Sequence, residues 1–412
     1  MTNPSYDERL KRFNDAVALK GPDRIPVIPI NVHYFDTNNA GISNQDAMQK
    51  VEIRYKIWKE FVFQFGFDMA PVIGTFPSQL LEILEAKHYK WPGGALSANF
   101  PFQYVEQEYM LQDEYDSFLS NPADFTCRVL WPRKAQTLEP FHNLPPIHWM
   151  GMDPLSLGPF MTDPKLVNSF KSLIELGEVW QHWMEFDRTY SKDVEEEGFP
   201  LTYVVANGHT AFDVLADYYR GLRGIMLDMY QVPDKLLAAI DLFTHMLLES
   251  LITEARLSGN PRVPLWLHRG QDQLMSPEQY EKFYWPSLQK LILGLVEAQL
   301  TPIPYFQGDN TLRLPYMKEL PKGKAPIHFD IVDRKQARKI IGGHQCFWGN
   351  IPASVMVTGT ADQVKDDIKQ LIDTFGDTGG LIIDASSAIP DEAKPENVTA
   401  MLEAVFDYGL GG

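Results

Sequence analysis

Short apolar runs that alternate with helical segments recur along the 412-residue chain, and this alternation constrains its fold more than any other feature. Eight runs have the length and the β-branched or aromatic content of buried strands, and helical periodicity follows most of them. The runs are residues 25–30, 67–73, 201–206, 263–267, 302–306, 325–329, 345–348 and 381–383. Strands that alternate with helices pair in parallel, so eight of them predict an α/β fold, a closed (β/α)8 or TIM barrel. An open doubly wound sheet is the structural alternative.

Helix-capping residues place some of the intervening helices. Ser276, Pro277 and Glu278 supply an N-cap hydroxyl, a proline in the first turn and an early acid, and they predict a helix over 276–295. Thr360, followed by Asp362, predicts another helix over 360–375. Residues 233–257 also have helical periodicity.

The second and third runs are far apart in the sequence. Insertions of this length in barrels are typical of lids and interface elements. We therefore predict a single domain over residues 1–412, with an insertion over 75–200 that adds helices and a lid to one mouth of the barrel.

Charge and cysteine content exclude several classes of protein. The formal net charge of −17 argues against binding to nucleic acid or to an anionic membrane surface. Cys127 and Cys346 are too few for a disulfide framework and predict a reducing, cytoplasmic location. The first twelve residues are polar, and no apolar run approaches the length of a membrane span, so neither a secretory signal nor a transmembrane segment is expected.

In TIM barrels the active site lies at the carboxyl ends of the strands, so position selects candidates before chemistry is considered. The polar residues at these positions are Asn31, His33, Thr75, Asn207, His209, His268, Arg269, Gln307, Asp309, Asp330, Asn350, Asp384, Ser386 and Ser387. Three histidines and three carboxylates on one rim favour a catalytic site.

Each of the central candidates has a functional and a structural interpretation. His268 could be a base or metal ligand beside Arg269 as an anion clamp, or it could be a loop histidine beside a structural ion pair. Asp309 could accept a proton or bind a cation, or it could cap the next helix. His209 could be catalytic or could simply begin a helix, whereas His328, inside the sixth run, is expected to be a hydrogen-bonded core residue.

Sequence fingerprints for nucleotide and zinc sites are absent. The chain has neither a GxxxxGK[ST] loop nor a GxGxxG turn after a strand, so phosphate-cradling motifs are not expected. It also lacks CxxC and HExxH, so any zinc site would need ligands scattered along the chain.

Several short motifs, in order, resemble those of the uroporphyrinogen decarboxylase superfamily over about residues 20–408. They are Asp23-Arg24-Ile25-Pro26-Val27, Asp113-Glu114-Tyr115-Asp116, Gly221-Leu222-Arg223-Gly224 with Pro233, Ser276-Pro277 with Phe283 and Pro286, Gly349-Asn350-Ile351-Pro352, Gly359-Thr360 with Val364, Gly379-Gly380-Leu381-Ile382 and Pro395-Glu396-Asn397-Val398. The superfamily includes uroporphyrinogen decarboxylases and cobalamin-dependent methyltransferases, and the resemblance implies a barrel whose mouth carries the site.

The chain departs from the best-known branches of that superfamily. True decarboxylases have arginines just after strand one and an aspartate after strand two, but residues 31–36 contain no arginine and residues 73–76 no carboxylate. The thiol-activating methyltransferases hold zinc through His-x-Cys and a later cysteine. The corresponding positions here resemble Tyr305, Gln307 and Ser386 or Ser387. Neither porphyrinogen decarboxylation nor zinc-thiolate chemistry is therefore expected.

The resemblance then implies a divergent, corrinoid-linked methyltransferase or demethylase. It would move a methyl group from a small methylated substrate, such as an ether or amine, to cobalamin carried by a small corrinoid protein. The catalytic candidates are His268, Asp309 and His209; the substrate-binding candidates are His33, Asn207, Arg269, Gln307, Asp330 and Ser386; and a metal, zinc being one candidate, would be held by His268 and Asp309. The resemblance also predicts a homodimer.

Two alternatives remain open at this level. One is a decarboxylase that acts on a small acid or a tetrapyrrole, with Arg269 or Arg223 as the carboxylate clamp. The other is a barrel that binds a ligand without turnover.

Overall fold

The computed structural model describes residues 4–146 and 153–409. Ten strands lie in these ranges: β1 (Asn31–Val32), β2 (Val72–Ile73), β3 (Tyr89–Lys90), β4 (Gln103–Tyr104), β5 (Gly208–His209), β6 (Arg262–Leu267), β7 (Thr301–Asp309), β8 (Ile327–Ile331), β9 (Phe347–Trp348) and β10 (Leu381–Ile382). All but β3 and β4, which form an antiparallel pair, belong to parallel ladders.

The parallel strands follow the predicted order. A six-stranded sheet runs β10-β9-β8-β7-β6-β5, and β1 pairs with β2. Single parallel bridges, Val27 with Ile383 and Ala70 with Leu201, connect the pair to the two ends of the larger sheet. The mixed α/β class with a parallel, TIM-barrel-like arrangement is therefore confirmed, although the regular ladder is interrupted at these two places.

The interruption has a local cause in the first strand. The predicted run over 25–30 contains Pro26 and Pro29, which have no backbone N–H to donate. Regular pairing starts only at Asn31, after the second proline. The strand at the third run also starts later than predicted: regular pairing begins at Gly208, not at Leu201.

In the part of the chain that the structure describes, eighteen α-helices surround and connect the strands. They are α1 (Tyr6–Val17), α2 (Phe35–Asn39), α3 (Asn44–Gln49), α4 (Val51–Phe65), α5 (Gln79–Leu84), α6 (Tyr115–Ser120), α7 (Pro122–Phe125), α8 (Trp131–Lys134), α9 (Pro164–Glu196), α10 (Ala211–Leu215), α11 (Gly221–Gln231), α12 (Pro233–Ser258), α13 (Pro277–Gln279), α14 (Trp285–Glu297), α15 (Arg334–Ile341), α16 (Ala353–Thr358), α17 (Ala361–Phe375) and α18 (Pro395–Tyr408) within the described ranges. Single π-helical turns occupy Thr126–Leu130, Ala216–Arg220 and Tyr280–Tyr284, and 3-10 turns occupy Gln112–Glu114, Gln136–Asn143, Pro154–Leu157, Phe160–Thr162, Thr311–Glu319 and Gly376–Thr378. The capping boxes at Ser276 and Thr360 confirm the helix starts predicted there.

An apolar cluster fills the space between the strands and α1. It contains Phe13, Ala16, Val17, Ile28, Ile30, Met69, Ile303, Cys346, Trp348 and Ile382. Arg12 of α1 also bonds Asp23 and Asp68, which precede the first two strands. Helix α1 therefore covers the amino-terminal ends of the strands, and the carboxyl ends remain for the functional site.

Helix α12 is long and apolar enough to cross a membrane when judged by length and composition alone. Its buried residues, which include Leu236, Ile240, Phe243 and Leu251, belong to the main hydrophobic core. One face of the helix therefore packs on this core.

Candidate active site

A cavity of about 420 Å³ opens at the carboxyl ends of the strands. Its lining residues are Ile30, Asn31, His33, Ile73, Gly74, Thr75, Phe76, Tyr203, Asn207, Trp266, His268, Tyr305, Gln307, Ser387 and Ala388. Seven of the fourteen strand-end candidates are among them, and four of these are predicted catalytic or substrate-binding residues: His33, Asn207, His268 and Gln307. None of the described lining residues is Asp, Glu, Lys or Arg, so the histidines are the groups in the wall that can change charge near neutral pH.

His268, which follows β6, is held by a carboxylate behind it. Its Nδ1 lies 3.0 Å from Oδ2 of Asp217, in the π-helical turn after α10. Because a carboxylate can only accept, Nδ1 carries the proton of this bond. The Nε2 atom makes no hydrogen bond to any described residue, so it is available to a ligand in the cavity.

A network of acids and one arginine fixes this pair. Asp217 also accepts a hydrogen bond from Arg269 Nε at 2.7 Å and forms an ion pair with Arg269 Nη2 at 2.5 Å. Arg269 reaches outward to Glu106 at 2.9 Å. Buried Asp213 accepts the backbone N–H groups of His268 and Arg269 at 3.2 and 2.8 Å. The loop that carries His268 is therefore anchored through both its backbone and its side chains.

The electrostatics of the network favour a protonated His268. Burial alone would lower its pKa, but the hydrogen bond to Asp217 and the charges of Asp213 and Asp217 together raise the pKa above the usual histidine value. Burial raises the pKa of Asp217, but the hydrogen bonds and charges of His268 and Arg269 lower it by more. The net effect is a lowered pKa, so the Asp217 carboxyl stays ionised.

His209, at the end of β5, is neutral, because its surroundings lower its pKa. Its Nδ1 donates to the carbonyl oxygen of Trp266 at 3.1 Å, and its ring centre lies 5.1 Å from that of His268. Burial, and then the neighbouring charge of His268, lower the pKa of His209 to about 4. Two adjacent imidazoles with pKa values moved in opposite directions form an acid and a neutral partner. His209 is not among the lining residues, and its ring contact with His268 is what connects it to the cavity wall.

Aromatic side chains form one wall of the cavity. Trp266 of β6 and Tyr305 of β7 are register partners with ring centres 5.4 Å apart, and the Tyr203 ring lies 6.0 Å from that of Trp266. The next register partner is His328, fully buried, which bonds Asp384 through Nε2 at 3.0 Å. His328 is therefore the core histidine that the sequence predicts.

The opposite wall depends on close packing around His33. A Cβ at Gly74 would lie 2.4 Å from the His33 ring, so only glycine leaves this ring in place. Behind it, Arg54 donates to the carbonyl oxygen of His33 at 3.0 Å and pairs with buried Asp36. Burial, and then the charge of Arg54, lower the pKa of His33 to about 4, so this histidine is neutral.

Four predicted site residues lie elsewhere. The Asp309 carboxylate accepts hydrogen bonds from the N–H and the hydroxyl of Thr311 at 3.0 and 2.7 Å. It is therefore engaged locally at the start of the following 3-10 turn, although the N-cap residue itself is Asn310. Arg269 has its donors on Asp217 and Glu106 and does not line the cavity. Asp330 and Ser386 line a second cavity of about 720 Å³. The neighbouring residue Ser387, and not Ser386, lines the main cavity.

Asp217 and Asp213 are not among the residues predicted from the sequence. They are four residues apart and share one face of the helical segment that follows β5. Two acids with this spacing, directly after a strand end, are a signal that could have been used. The aromatic residues Tyr203 and Trp266 were also missed, because aromatic side chains in strands usually belong to the core.

The described residues offer one group that could hold a metal ion. Ligand atoms of His209, Asp217 and His268 lie within 4.8 Å of one another, whereas Asp309 is not part of this group. Both oxygens of Asp217 already accept bonds from His268 or Arg269, so this carboxylate fits better as an orienting partner than as a ligand. Zinc held as in the thiol-activating branch does not fit, because Tyr305, Gln307 and Ser387 offer neither a thiol nor an imidazole.

The fold and the cavity define a TIM-barrel-like protein with a candidate site at the strand ends. The sequence pattern of the uroporphyrinogen decarboxylase (URO-D) family matches residues 202–408, which is half of the chain. The chain therefore belongs to the URO-D family, and the superfamily membership predicted from its motifs is confirmed.

Named relatives agree with this membership. The chain is 28% identical over 179 residues to a uroporphyrinogen decarboxylase of Geobacter metallireducens, covering 43% of this chain and 50% of that protein. It is 25% identical over 137 residues to that of Alcanivorax borkumensis, covering 32% of this chain and 38% of that protein. The chain thus spans about half the length, or less, of the curated relatives it matches. A solved methyltransferase from Methanosarcina mazei superimposes with a TM-score of 0.64 at 15% identity, covering 98% of this chain and 99% of that one, which shows a shared fold.

Proposed function

We propose that this protein is a corrinoid-linked methyltransferase that takes a methyl group from a small methylated substrate and passes it to cobalamin on a small partner protein. The observation that carries the proposal is a histidine, His268, held through Nδ1 by Asp217 at the edge of a cavity whose described wall contains no Asp, Glu, Lys or Arg. Such a group can supply a proton to a leaving group.

The chemistry needs that proton. Alkoxides and amide anions are poor leaving groups, so breaking a carbon–oxygen or carbon–nitrogen bond requires an acid at the heteroatom. Low-valent cobalt in the corrinoid would supply the nucleophile for the methyl carbon. The Nε2 proton of His268 would move to the heteroatom, which keeps both electrons of the broken bond, while Asp217 stabilises the charge on the ring. Neutral His209 would not compete for this proton.

The alternative of a carboxy-lyase finds less support in the same geometry. A carboxylate substrate calls for an arginine or lysine clamp, and Arg269 is already paired with Asp217 and Glu106. A tetrapyrrole with many acidic side chains would find no such cation among the described lining residues. A barrel that only binds its ligand would not require the opposed pKa shifts of His209 and His268.

The insertion and the partner complete the proposal. Residues 75–200 would act as a lid, since Thr75 and Phe76 line the cavity and Glu106 reaches Arg269. The corrinoid protein would approach the same mouth, in the cytoplasm, and the dimer expected from the resemblance is tested by light scattering.

A methyl-transfer assay tests the function. Purified protein is mixed with reduced free cobalamin and single methyl donors of several classes, and conversion of the cobalt centre is followed by absorbance. His268→Gln should lower the rate by about 10²- to 10⁴-fold, the usual contribution of a general acid. His245→Gln, an exposed histidine on α12, is the matched control and should leave the rate unchanged. Carbon dioxide release from a small acid without any corrinoid, or full activity of His268→Gln, would reject the proposal.

A further inference from the structure

The cavity carries information on substrate class beyond the reaction type. Tyr203, Trp266 and Tyr305 form a continuous aromatic wall, with neighbouring ring centres 6.0 and 5.4 Å apart. Phe76 adds a fourth ring from the start of the insertion. Flat aromatic ligands bind well to such walls, because offset and edge-to-face contacts add to the hydrophobic gain.

The charge distribution favours a neutral ligand. The carboxylates nearest the cavity, Asp213 and Asp217, are engaged by His268 and by Arg269, which also binds Glu106. The described lining residues include no Asp, Glu, Lys or Arg that could pair with an anionic or a permanently cationic ligand. Either charge would therefore be desolvated without a dedicated partner, which is costly.

The acid itself narrows the leaving group. A quaternary ammonium donor leaves as a neutral amine and needs no proton, so a protonated His268 would bring it no benefit. A methyl ether leaves as an alkoxide or phenoxide unless it is protonated, so it uses the proton that His268 holds. An aromatic ether combines this requirement with the aromatic wall.

We propose that the substrate is a neutral aryl methyl ether, with its ring against Tyr203, Trp266 and Tyr305. This inference rests on the proposed function. The CH3–O bond breaks, the methyl group goes to the corrinoid, and the oxygen keeps the electron pair and takes the Nε2 proton of His268. The products are a phenol and the methylated corrinoid, and His268 recovers its proton from solvent.

The size and polarity of the cavity fit this class. An apolar cavity of about 150 Å³ accommodates benzene, so about 420 Å³ leaves room for a substituted ring. Asn31, His33, Thr75 and Gln307 line the remaining wall and can exchange hydrogen bonds with a ring hydroxyl. A phenolic ether such as 2-methoxyphenol is therefore the probe that matches the described lining.

Calorimetric titration of the full chain, without any corrinoid, tests the class independently of turnover. The probes are 2-methoxyphenol, its non-aromatic counterpart methoxycyclohexane, the anion 4-methoxybenzoate and the cation tetramethylammonium. We expect 2-methoxyphenol to bind about tenfold more tightly than each of the others. Tighter binding of the anion, the cation or the cyclohexyl ether, or no binding of 2-methoxyphenol up to its solubility limit, would overturn the inference.

Two tryptophans, one in the cavity wall and one far from it in the sequence, supply a test variant and a matched control. Trp266→Leu should weaken 2-methoxyphenol binding by about three- to tenfold, the worth of one aromatic contact, while methoxycyclohexane binding changes little. Trp180→Leu makes the same change on α9, at a residue that is 41% exposed, and should leave both affinities unchanged. If Trp266→Leu unfolds, Tyr305→Leu replaces it. Methyl transfer from an aliphatic donor together with failure of these binding tests would reject the substrate class but leave the methyltransferase function standing.

Discussion

Replacing Asp217 with asparagine removes one negative charge while keeping the shape of the side chain. In the native protein this carboxylate accepts hydrogen bonds from His268 Nδ1 at 3.0 Å and Arg269 Nε at 2.7 Å, and it forms an ion pair with Arg269 Nη2 at 2.5 Å. Asparagine has a single acceptor oxygen and a donor amide, so it can satisfy only one of these partners well. We expect the pKa of His268 to fall and Arg269 to rely on Glu106.

The cost in stability follows from the burial of this network. Removing one partner of a buried ion pair typically costs 3–5 kcal/mol. Two features reduce this loss here: Arg269 keeps its bond to Glu106 at 2.9 Å, and His268 borders the cavity and is not fully buried. We therefore expect the free energy of unfolding to fall by about 2 kcal/mol. The loss should depend on pH. The native pKa of His268 lies above its unfolded value, so its protonated ring stabilises the fold at low pH and this contribution disappears as the pH rises through the native pKa. The difference between the native protein and the Asp217→Asn variant should therefore shrink as the pH rises.

Two measurements check this prediction without knowledge of the substrate. Histidine-labelled protein, titrated by NMR with the His268 signal assigned from a His268→Gln variant, should show a lower pKa in Asp217→Asn. Urea unfolding at several pH values should show the pH-dependent loss. Asp116→Asn, which removes the carboxylate of an exposed pair with Lys235, is the control and should change neither. An unchanged His268 titration would mean that Asp217 does not hold this histidine in its charged form.

Three further predictions concern the rest of the site. Asp36→Asn should lower the free energy of unfolding by about 3 kcal/mol, because it leaves the fully buried Arg54 without its carboxylate partner, and urea unfolding measures this loss. Gly74→Ala should weaken 2-methoxyphenol binding at least tenfold in calorimetry by displacing His33, whereas Gly376→Ala, whose Cβ would make only an ordinary contact, should not. Dialysis against a chelator should leave the methyl-transfer rate unchanged if the acid is the histidine itself, and a loss restored by zinc would instead assign that role to a bound metal.

Much of the fold could be predicted because its signals are local. The capping residues Ser276 and Thr360 mark helix starts wherever the rest of the chain lies, and the strand order follows from alternation alone. The boundaries of the first strand were wrong because Pro26 and Pro29 remove ladder donors from a run that is otherwise apolar. Hydropathy reports burial, whereas regular pairing also needs N–H groups.

The site could be predicted only where position decides it. His33 and His268 directly follow β1 and β6, Asn207 directly precedes β5, Gln307 lies near the end of β7, and all four line the cavity. Asp309 ends β7, but a nearby Thr311 satisfies its carboxylate locally. The sequence alone does not tell whether a carboxylate bonds a near neighbour or a distant residue. His268 and Asp217 are 51 positions apart, and their hydrogen bond could not be predicted because it depends on how β5 and β6 are paired.

The proposed direction of methyl transfer follows from what replaces the zinc ligands at the barrel mouth. Tyr305, Gln307 and Ser387 occupy positions that resemble those of the zinc ligands in the thiol-activating branch, and all three line the cavity. A thiol must lose a proton to accept a methyl group, and zinc promotes that loss. Here the neighbouring strand end supplies His268, whose surroundings favour gaining a proton. A site that gives a proton serves the departure of a methyl donor's heteroatom, so the proposal assigns to this chain the half-reaction that loads the corrinoid rather than the one that unloads it.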